Sequence, residues 1–260
     1  IDLPIKIKAA IEFEGQAQFH PRKYILGLLS TLKNENVYEN SKVVDIKHKD
    51  SLYEVYVNNH IVKCKYLVLA THYPIKNFPG MYFLKMYQDK SYVVAVNTNS
   101  KPLNGMYLSL DEPTTSFRTA DNMLLVGGSG HKTGANNIDL DNSYLNIENY
   151  IKSLYPKAEI KYTWSTQDCV SLDKIPYIGR FSSLFENMYV ATGYKKWGIT
   201  TSYVAAKIIS DKILGKENNY ASIYSATRFH PIKNRKEFGN ILKQSVYSLA
   251  INKLKKPKLD

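Results

Sequence analysis

Hydrophobic residues recur along the chain with two spacings, one typical of helices and one of strands. A proline followed by apolar residues three or four positions apart predicts a helix over residues 21–34, with one face formed by Tyr24, Leu28, Leu29 and Leu32. Alternating or continuous apolar runs predict strands at residues 42–49, 52–57, 61–64, 66–70, 92–96, 106–110, 116–120, 123–128 and 160–164. Asn58 and Asn59 predict a turn that leads to the strand at 61–64, and the short apolar run at 66–70 suits a buried parallel strand. Further helices are expected at residues 141–155, stopped by Pro156, and at residues 235–254. This mixture predicts an α/β fold.

Charge is concentrated at one end of the chain. The formal net charge is +12, and residues 228–260 contain nine Lys or Arg against two acidic residues, which places +7 there. This tail lacks the interleaved aromatic residues of a single-strand-binding surface and matches no DNA-reading motif. We therefore expect a solvated helix and linker, and no nucleic-acid partner.

The remaining composition narrows the class of protein. With 44% hydrophobic residues, the chain can bury one large core or two smaller ones. No apolar run approaches the roughly 20 residues of a membrane span, and no signal peptide is recognisable, so we expect a cytoplasmic protein without integral membrane contact. Cys64 and Cys169 form no Cys-x-x-Cys pair, and the six histidines are not at zinc-ligand spacing. Neither a disulfide nor a metal site is predicted.

The segment MYVATGYKKWGITT, residues 188–201, predicts a short buried strand, a turn flanked by Gly193 and Gly198, and the beginning of a helix. A helix N-terminus presents unpaired N–H groups and partial positive charge, so it stabilises an anionic group placed against it. Reduced flavin is such a group, with charge around N1 and the C2 carbonyl. Gly198 would allow a close approach of the backbone.

Four segments together resemble the D-amino-acid oxidase (DAO) superfamily, which includes glycine and sarcosine oxidases. They are QFHPRKY (residues 18–24), YLVLAT (66–71), WSTQDCVSLDKIPYIGR (164–180) and MYVATGYKKWGITT (188–201), in the order and approximate spacing of the family. The resemblance covers about residues 18–230. It is strongest to the branch in which a C-terminal Rieske iron–sulfur domain follows the oxidoreductase.

The resemblance implies a fold and a domain arrangement. It implies part of a Rossmann-like, glutathione-reductase-type FAD-binding domain (residues 21–80 and 173–230), a β-rich substrate domain (1–20 and 81–172) and a basic helical tail or linker (231–260). The family's Gly-x-Gly-x-x-Gly unit has no counterpart, and the chain opens with Ile1 in what we interpret as part of a strand pair. We therefore expect a piece that lacks the N-terminal unit. The glycine-rich residues 127–134 have the wrong spacing for that unit, and the glycines after the strand at 123–128 are interpreted as a loop.

The resemblance also implies an activity. The chain would form the greater part of an FAD-dependent oxidoreductase that oxidises a small amine or amino acid by hydride transfer to flavin N5, with a [2Fe-2S] cluster in a following domain. The electron acceptor is left open between oxygen, an iron–sulfur centre and others. Two alternatives remain: a non-catalytic scaffold module with an empty flavin site, and, least favoured, a basic nucleic-acid-binding protein.

Site residues follow from the family motif and from chemistry. The predicted cofactor contacts are Val43, Val44, Ala70, Thr71, Gly193, Lys196, Trp197, Gly198, Ile199 and Thr200. Lys195 and Lys196 could stabilise the reduced ring, and His72 could face it. Arg118 and Arg180 are candidates for a clamp on a substrate carboxylate, since arginine binds carboxylates in a bidentate manner. Tyr92, Tyr107 and Tyr177 are further candidates to line the pocket.

We predict that the tail is a helical linker packed on the enzyme surface. Helical spacing gives it an apolar stripe of Phe238, Ile241, Leu242, Ser245, Val246, Leu249 and Leu254. Limited proteolysis should therefore leave its first turns protected, and DNA and anionic liposomes should bind weakly at physiological salt. Tight binding to either, lost on deletion of residues 231–260, would contradict the prediction.

Overall fold

The computed structural model of the chain describes residues 1–32, 37–135 and 140–246, apart from the side chains of Leu140 and Gln244. In chain order its elements are α1 (Pro21–Thr31), β1 (Val43–Lys49), β2 (Leu52–Val57), β3 (His60–Cys64), β4 (Leu67–Leu69), α2 (Tyr82–Lys85), β5 (Met86–Asn97), β6 (Tyr107–Leu108), β7 (Ser116–Ala120), β8 (Met123–Lys132), α3 (Leu140–Leu154), β9 (Glu159–Ser171), β10 (Tyr177–Ser182), β11 (Phe185–Thr192), α4 (Gly198–Ile213), α5 (Ala221–Tyr224) and α6 (Arg235–Val246).

The chain divides into two compact units. Unit 1 comprises residues 1–35 and 89–167, and unit 2 comprises residues 36–88 and 168–260. Within the described ranges, no helix combines the length and apolar character needed to cross a bilayer. The predicted domain boundaries stay a prediction, because compactness alone does not identify a cofactor-binding or substrate-binding domain.

Unit 1 is built on a five-stranded sheet with the order β6-β7-β8-β5-β9. The helix predicted at residues 141–155 is confirmed as α3, which packs on this sheet through Ile147 and Ile151. Tyr92, Val94 and Val96 alternate along β5 and are fully buried beneath the helix. This core positions β7 and β8, which carry the predicted strands at 116–120 and 123–128.

Two expectations in unit 1 are wrong. The glycine-rich residues after Gly128 form no loop, because β8 continues to Lys132 and pairs there with β5. At Gly127 a Cβ atom would lie 2.8 Å from the Ser116 hydroxyl oxygen, so glycine permits close strand packing there. Residues 1–20 form no strand pair, and side-chain bonds hold the segment instead: Asp2 accepts from the Asn104 amide at 2.6 Å and from the Tyr107 hydroxyl.

The helix predicted over residues 21–34 begins at Pro21 as expected and ends at Thr31. The imidazole Nδ1 of His20 accepts from the Lys23 amide at 3.4 Å and caps the helix. Leu32 already has an extended backbone, and residues 33 and 34 lie outside the described ranges. The apolar face predicted for this helix is exposed in the described structure.

Unit 2 contains two three-stranded sheets, β1-β2-β3 and β10-β11-β4. The predicted strands at 42–49 and 52–57 are confirmed as β1 and β2. The predicted turn at Asn58 and Asn59 is confirmed between β2 and β3, and Asn58 adopts a left-handed backbone. β4 pairs parallel with β11, as predicted, and lies at the sheet edge, but only Leu69 of its three residues is buried. β10 was not predicted, because Gly179 interrupts its apolar pattern.

A partly buried arginine, Arg228, joins the segment after α5 to the loop before β10. The guanidinium of Arg228 donates to both carboxylate oxygens of Asp173 at 2.7 and 2.9 Å, and to the carbonyls of Pro176, Ser225 and Ile175. Its carbon lies 4.2 Å from the Tyr177 ring centre. Burial raises the pKa of Asp173, but the hydrogen bonds and charge of Arg228 outweigh it, so the pKa is lowered overall.

Lys85 is a buried cation in unit 2. It is the last residue of α2 and is 7% exposed. Its ammonium donates to the carbonyl of Ala226 at 3.1 Å. The rings of Tyr82 and Tyr177 lie 5.2 and 5.7 Å away. Burial, and secondarily the charge of Arg228, lowers the pKa of Lys85 from 10.5 to about 8.

The tail begins as predicted with a helix docked on unit 2. α6 buries Ile241, which is 2% exposed, and the Ser245 hydroxyl donates to the carbonyl of Phe83 at 3.3 Å. Phe238 packs edge-on against Phe229. Leu249 and Leu254 of the predicted stripe lie outside the described ranges.

Lys85 should make the protein more stable as the pH rises from about 8 towards about 10.5. In that window the unfolded chain keeps the lysine proton that the folded protein has released, so the unfolded state binds more protons. Between about pH 7.5 and about pH 9.5 the free energy of unfolding should therefore rise by about 2 kcal/mol more in the parent than in a Lys85→Met variant. Chemical denaturation at both pH values measures this difference, and equal pH dependence in the two proteins would contradict it.

Candidate cofactor site at the ends of two parallel strands

The predicted cofactor segments converge in unit 2 because β4 and β11 run parallel. Leu67 pairs with Met188 and Leu69 with Val190, so both strands end at the same edge of the sheet. Residues 70–72 follow β4, and residues 193–197 follow β11. Ligands of α/β sheets bind beyond the carboxyl ends of parallel strands. The register thus brings Ala70, Thr71 and His72 to the edge where α4 begins.

The turn between β11 and α4 holds an unusual backbone. Gly193 has a φ of +76°, and a Cβ atom there would lie 3.4 Å from both Met86 Sδ and Ser171 Cβ. Lys195 has a φ of +55°, and its amide donates to the Cys169 carbonyl at 2.8 Å. His72 across the edge has a φ of +64°. Such left-handed conformations of non-glycine residues cost energy and cluster at functional sites.

The N-terminus of α4 faces this edge without a side-chain cap. Trp197 occupies the cap position and makes no side-chain hydrogen bond to the helix, and the first turn contains no acidic residue. The Thr200 hydroxyl donates to the Trp197 carbonyl at 3.2 Å and does not cap the first-turn amides. The amides of Gly198, Ile199 and Thr200 are the orphan donors of the helix, and they carry its positive dipole end.

Gly198 provides the test of whether this edge fits a flavin. Its φ is outside the left-handed range, and a Cβ atom there would meet only Tyr194, at an ordinary 3.9 Å. Neither backbone conformation nor protein packing therefore requires glycine at position 198. Open space beside orphan amides is what a planar ring with an anionic edge needs, so the residues present fit the group.

The rest of α4 holds its N-terminus in place. Ala205, Ile208 and Ile209 are buried against Ile178, Tyr189 and Ala191 of β10 and β11, as one core cluster. Because the helix packs along the strand that precedes it, the position of its first turn is set by the sheet. This supports a rigid rather than adaptable site.

The predicted cofactor contacts Val43 and Val44 lie at a local irregularity of β1. The register of β1 and β2 shifts between Val43 and Asp45, which places a bulge at Val44. Val43 packs against the core, whereas Val44 is 64% exposed. Bulges re-aim side chains next to binding sites. Contact with the cofactor at both residues stays a prediction.

The candidate catalytic residues fall into three groups. Lys195, Lys196 and His72 are exposed at the common edge of β4 and β11. Arg180 is exposed on β10 and pairs with Tyr189 of β11. Tyr189 lies three residues before Thr192, which is about 10 Å along β11. Arg118 is exposed on β7 of unit 1. Their roles stay predictions.

The candidate pocket tyrosines are placed differently. Tyr92 and Tyr177 are fully buried in the cores of their units, and burial raises the pKa of Tyr177 to about 12. The Tyr107 hydroxyl donates to Asp2, and that hydrogen bond raises its pKa. Two of the three tyrosines are therefore core residues.

Sequence reasoning missed Thr192. The residue is 1% exposed, and its hydroxyl donates to the His72 carbonyl, which joins the segments after β11 and β4. No local pattern signals this bond, because its partners are 120 residues apart. Cys64 and Cys169 are free thiols whose pKa values are raised by burial, which disfavours the reactive thiolate.

Comparison with known proteins identifies relatives. The family model described as DAO, FAD dependent oxidoreductase, matches residues 2–212. YhfW of Bacillus subtilis (strain 168), which is named as a Rieske 2Fe-2S iron-sulfur protein, is 38% identical over 237 residues, covering 88% of this chain and 46% of that protein.

Two solved structures share the fold. Glycine oxidase from Geobacillus kaustophilus aligns with a TM-score of 0.63 at 21% identity, covering 74% of this chain and 53% of the other. L-proline dehydrogenase from P. horikoshii gives a TM-score of 0.59 at 19% identity, covering 74% and 54%. The predicted α/β fold is confirmed, and the chain spans about half the length of the relatives it matches.

Gly198→Val should abolish flavin retention in the complete gene product, because two methyl groups would occupy the space beside the orphan amides. The FAD-free variant should unfold within about 0.5 kcal/mol of the parent, since open space surrounds the position. Flavin stoichiometry of the purified protein and chemical denaturation measure the two effects.

Gly239→Val is the matched control, because Gly239 is also helical and a Cβ atom there has no neighbour within 4 Å. It should retain flavin normally. Normal stoichiometry in Gly198→Val would overturn the assignment of this edge.

Proposed function

Because the chain belongs to the DAO family of FAD-dependent oxidoreductases, we propose that it forms part of an enzyme that oxidises a small amine or amino acid. The observation that carries the proposal is the edge where β4 and β11 end. There an uncapped helix N-terminus, a glycine that the fold does not require, and two exposed lysines lie together.

In this proposal the chain's own residues prepare the edge for an electron-rich ring. The first-turn amides of α4, from Gly198 to Thr200, would donate to the pyrimidine side of the flavin, and the helix dipole would favour negative charge there. Lys195 and Lys196 add cationic side chains at the same edge. When bound, FAD supplies the chemistry by accepting a hydride at N5.

The substrate is held by other residues in this proposal. An amino-acid carboxylate would be bound by a bidentate arginine, for which Arg118 and Arg180 are the candidates. His72, exposed at the strand edge, is the candidate to face the ring and hold a proton from the substrate ammonium. An amine without a carboxylate would need neither arginine.

We further propose that the complete gene product carries a [2Fe-2S] cluster in a separate Rieske domain. The name of YhfW, and the 46% of that protein that this chain covers, support the proposal. The docked α6 would then hold the beginning of the connection on unit 2. Electron paramagnetic resonance of the reduced gene product would reveal the cluster, and the absence of its signal in iron-replete protein would contradict this part of the proposal.

The activity is tested by anaerobic reduction of the complete gene product. We expect its visible spectrum to show oxidised flavin, and the absorbance to bleach with at least one of glycine, sarcosine, L-proline, D-alanine or putrescine. Purified protein that binds no flavin would overturn the proposal. Flavin that is bleached by dithionite but by no amine or amino acid would contradict the proposed substrate class.

The 260-residue chain alone should bind FAD weakly or not at all. The glycine fingerprint that holds the pyrophosphate in this family is absent from its sequence. In the described part of unit 2, β4 is also an edge strand, with Val68 41% exposed, so this edge is open to pairing with another strand. Fluorescence titration measures the affinity, and a chain purified yellow with tightly bound FAD and no complementing segment would contradict the prediction.

A further inference from the structure

We infer that Thr192 is a positioning residue, which ties together the two segments that hold the cofactor. This inference rests on the proposed function. Thr192 is the last residue of β11, and only 1% of its surface is exposed. Its hydroxyl donates to the backbone carbonyl of His72, which lies in the loop after β4.

The bond spans a gap that the sheet leaves unpaired. The parallel register of β4 and β11 ends at Leu69 and Val190. Beyond these pairs, β4 is followed by residues 70–72, and β11 continues to Thr192 and then into the turn before α4. The Thr192 hydroxyl donates across this gap to the His72 carbonyl. This hydrogen bond therefore connects the two strands beyond their last backbone pair, at the edge where the ligand would lie.

The surroundings of Thr192 leave its hydroxyl little freedom. Met86 Sδ lies 3.7 Å from the same oxygen. A thioether sulfur accepts a hydrogen bond less well than a carbonyl does. The hydroxyl proton is thus directed to His72.

The loop that receives this bond is itself constrained. His72 has a left-handed φ of +64°, and the Thr71 hydroxyl donates to the carbonyl of Tyr73 at 2.9 Å. A strained residue keeps its conformation only when its surroundings impose it. The Thr192 hydroxyl supplies such a constraint on His72, and through it sets the distance between Ala70–His72 and the first turn of α4.

Thr192→Val tests this inference, because valine keeps the shape and β-branch but removes the donor. In the complete gene product we expect the Kd for FAD to rise about tenfold, as expected for the loss of one hydrogen bond. Thr192→Ser keeps the hydroxyl and should restore the parent affinity. Isothermal titration with FAD measures all three proteins.

Tyr82→Phe is the matched control for a purely structural effect. Tyr82 is fully buried in unit 2, and its hydroxyl donates to the Phe181 carbonyl at 2.9 Å, so its loss removes a comparable hydrogen bond away from the strand edge. This variant should lose thermal stability and keep the parent Kd. An equal rise of Kd in Tyr82→Phe and Thr192→Val would overturn the positioning role.

Hydrogen–deuterium exchange of the FAD-free protein gives a readout that does not depend on the cofactor. Amides of residues 70–73 should exchange faster in Thr192→Val than in the parent, Thr192→Ser or Tyr82→Phe. Unchanged exchange there would overturn the inference, as would faster exchange with an unchanged Kd. If the parent binds no FAD, the proposed function fails and the exchange result alone decides whether Thr192 orders the loop.

Discussion

The parallel pairing of β4 with β11 is the constraint on which the candidate site depends. Three residue pairs, from Leu67 with Met188 to Leu69 with Val190, join segments 121 positions apart. Leu69 and Val190 are buried in the same core cluster, so a slip of either strand by one residue would turn its own buried side chain away from that cluster. The register therefore decides which backbone groups meet at the edge, and with them the position of the first turn of α4.

Charge at this edge differs from charge elsewhere in unit 2. Lys85 is buried and the side chain of Arg228 is partly buried, and each donates to oxygens of the protein itself: Asp173 and three carbonyls for Arg228, and Ala226 for Lys85. At α4 the first turn has neither an acidic residue nor a side-chain cap, and the lysines before it are exposed. Protein groups therefore balance the positive charge at the N-terminus of α4 less than they balance Arg228 and Lys85. This end of the helix can thus stabilise an anionic ligand.

Features governed by neighbouring residues could be predicted from the sequence. The helix α3, the turn between β2 and β3, and the strand, turn and helix around Gly193 all follow from local periodicity and from asparagine, glycine and proline positions. The family resemblance added the cofactor. The apolar run at 66–70 also predicts the parallel direction of β4, because parallel strands are typically short and continuously apolar.

Features governed by distant partners could not be predicted. β8 continues through Gly128 and Gly130 because β5 supplies a pairing partner about 40 residues earlier in the chain, and isolated glycines suggested a loop. Arg228 meets Asp173 across 55 residues, and Thr192 meets His72 across 120. Such contacts leave no local spacing in the sequence, since only tertiary packing selects the partner.

We propose that the first turn of α4 holds the flavin. This is tested by a crystal structure of the complete gene product with FAD. We expect the C2 carbonyl oxygen of the ring to lie within hydrogen-bonding distance, about 2.7–3.2 Å, of an amide of Ile199 or Thr200, beside the open face of Gly198. A bound flavin whose ring lies elsewhere, with these amides facing solvent, would contradict it.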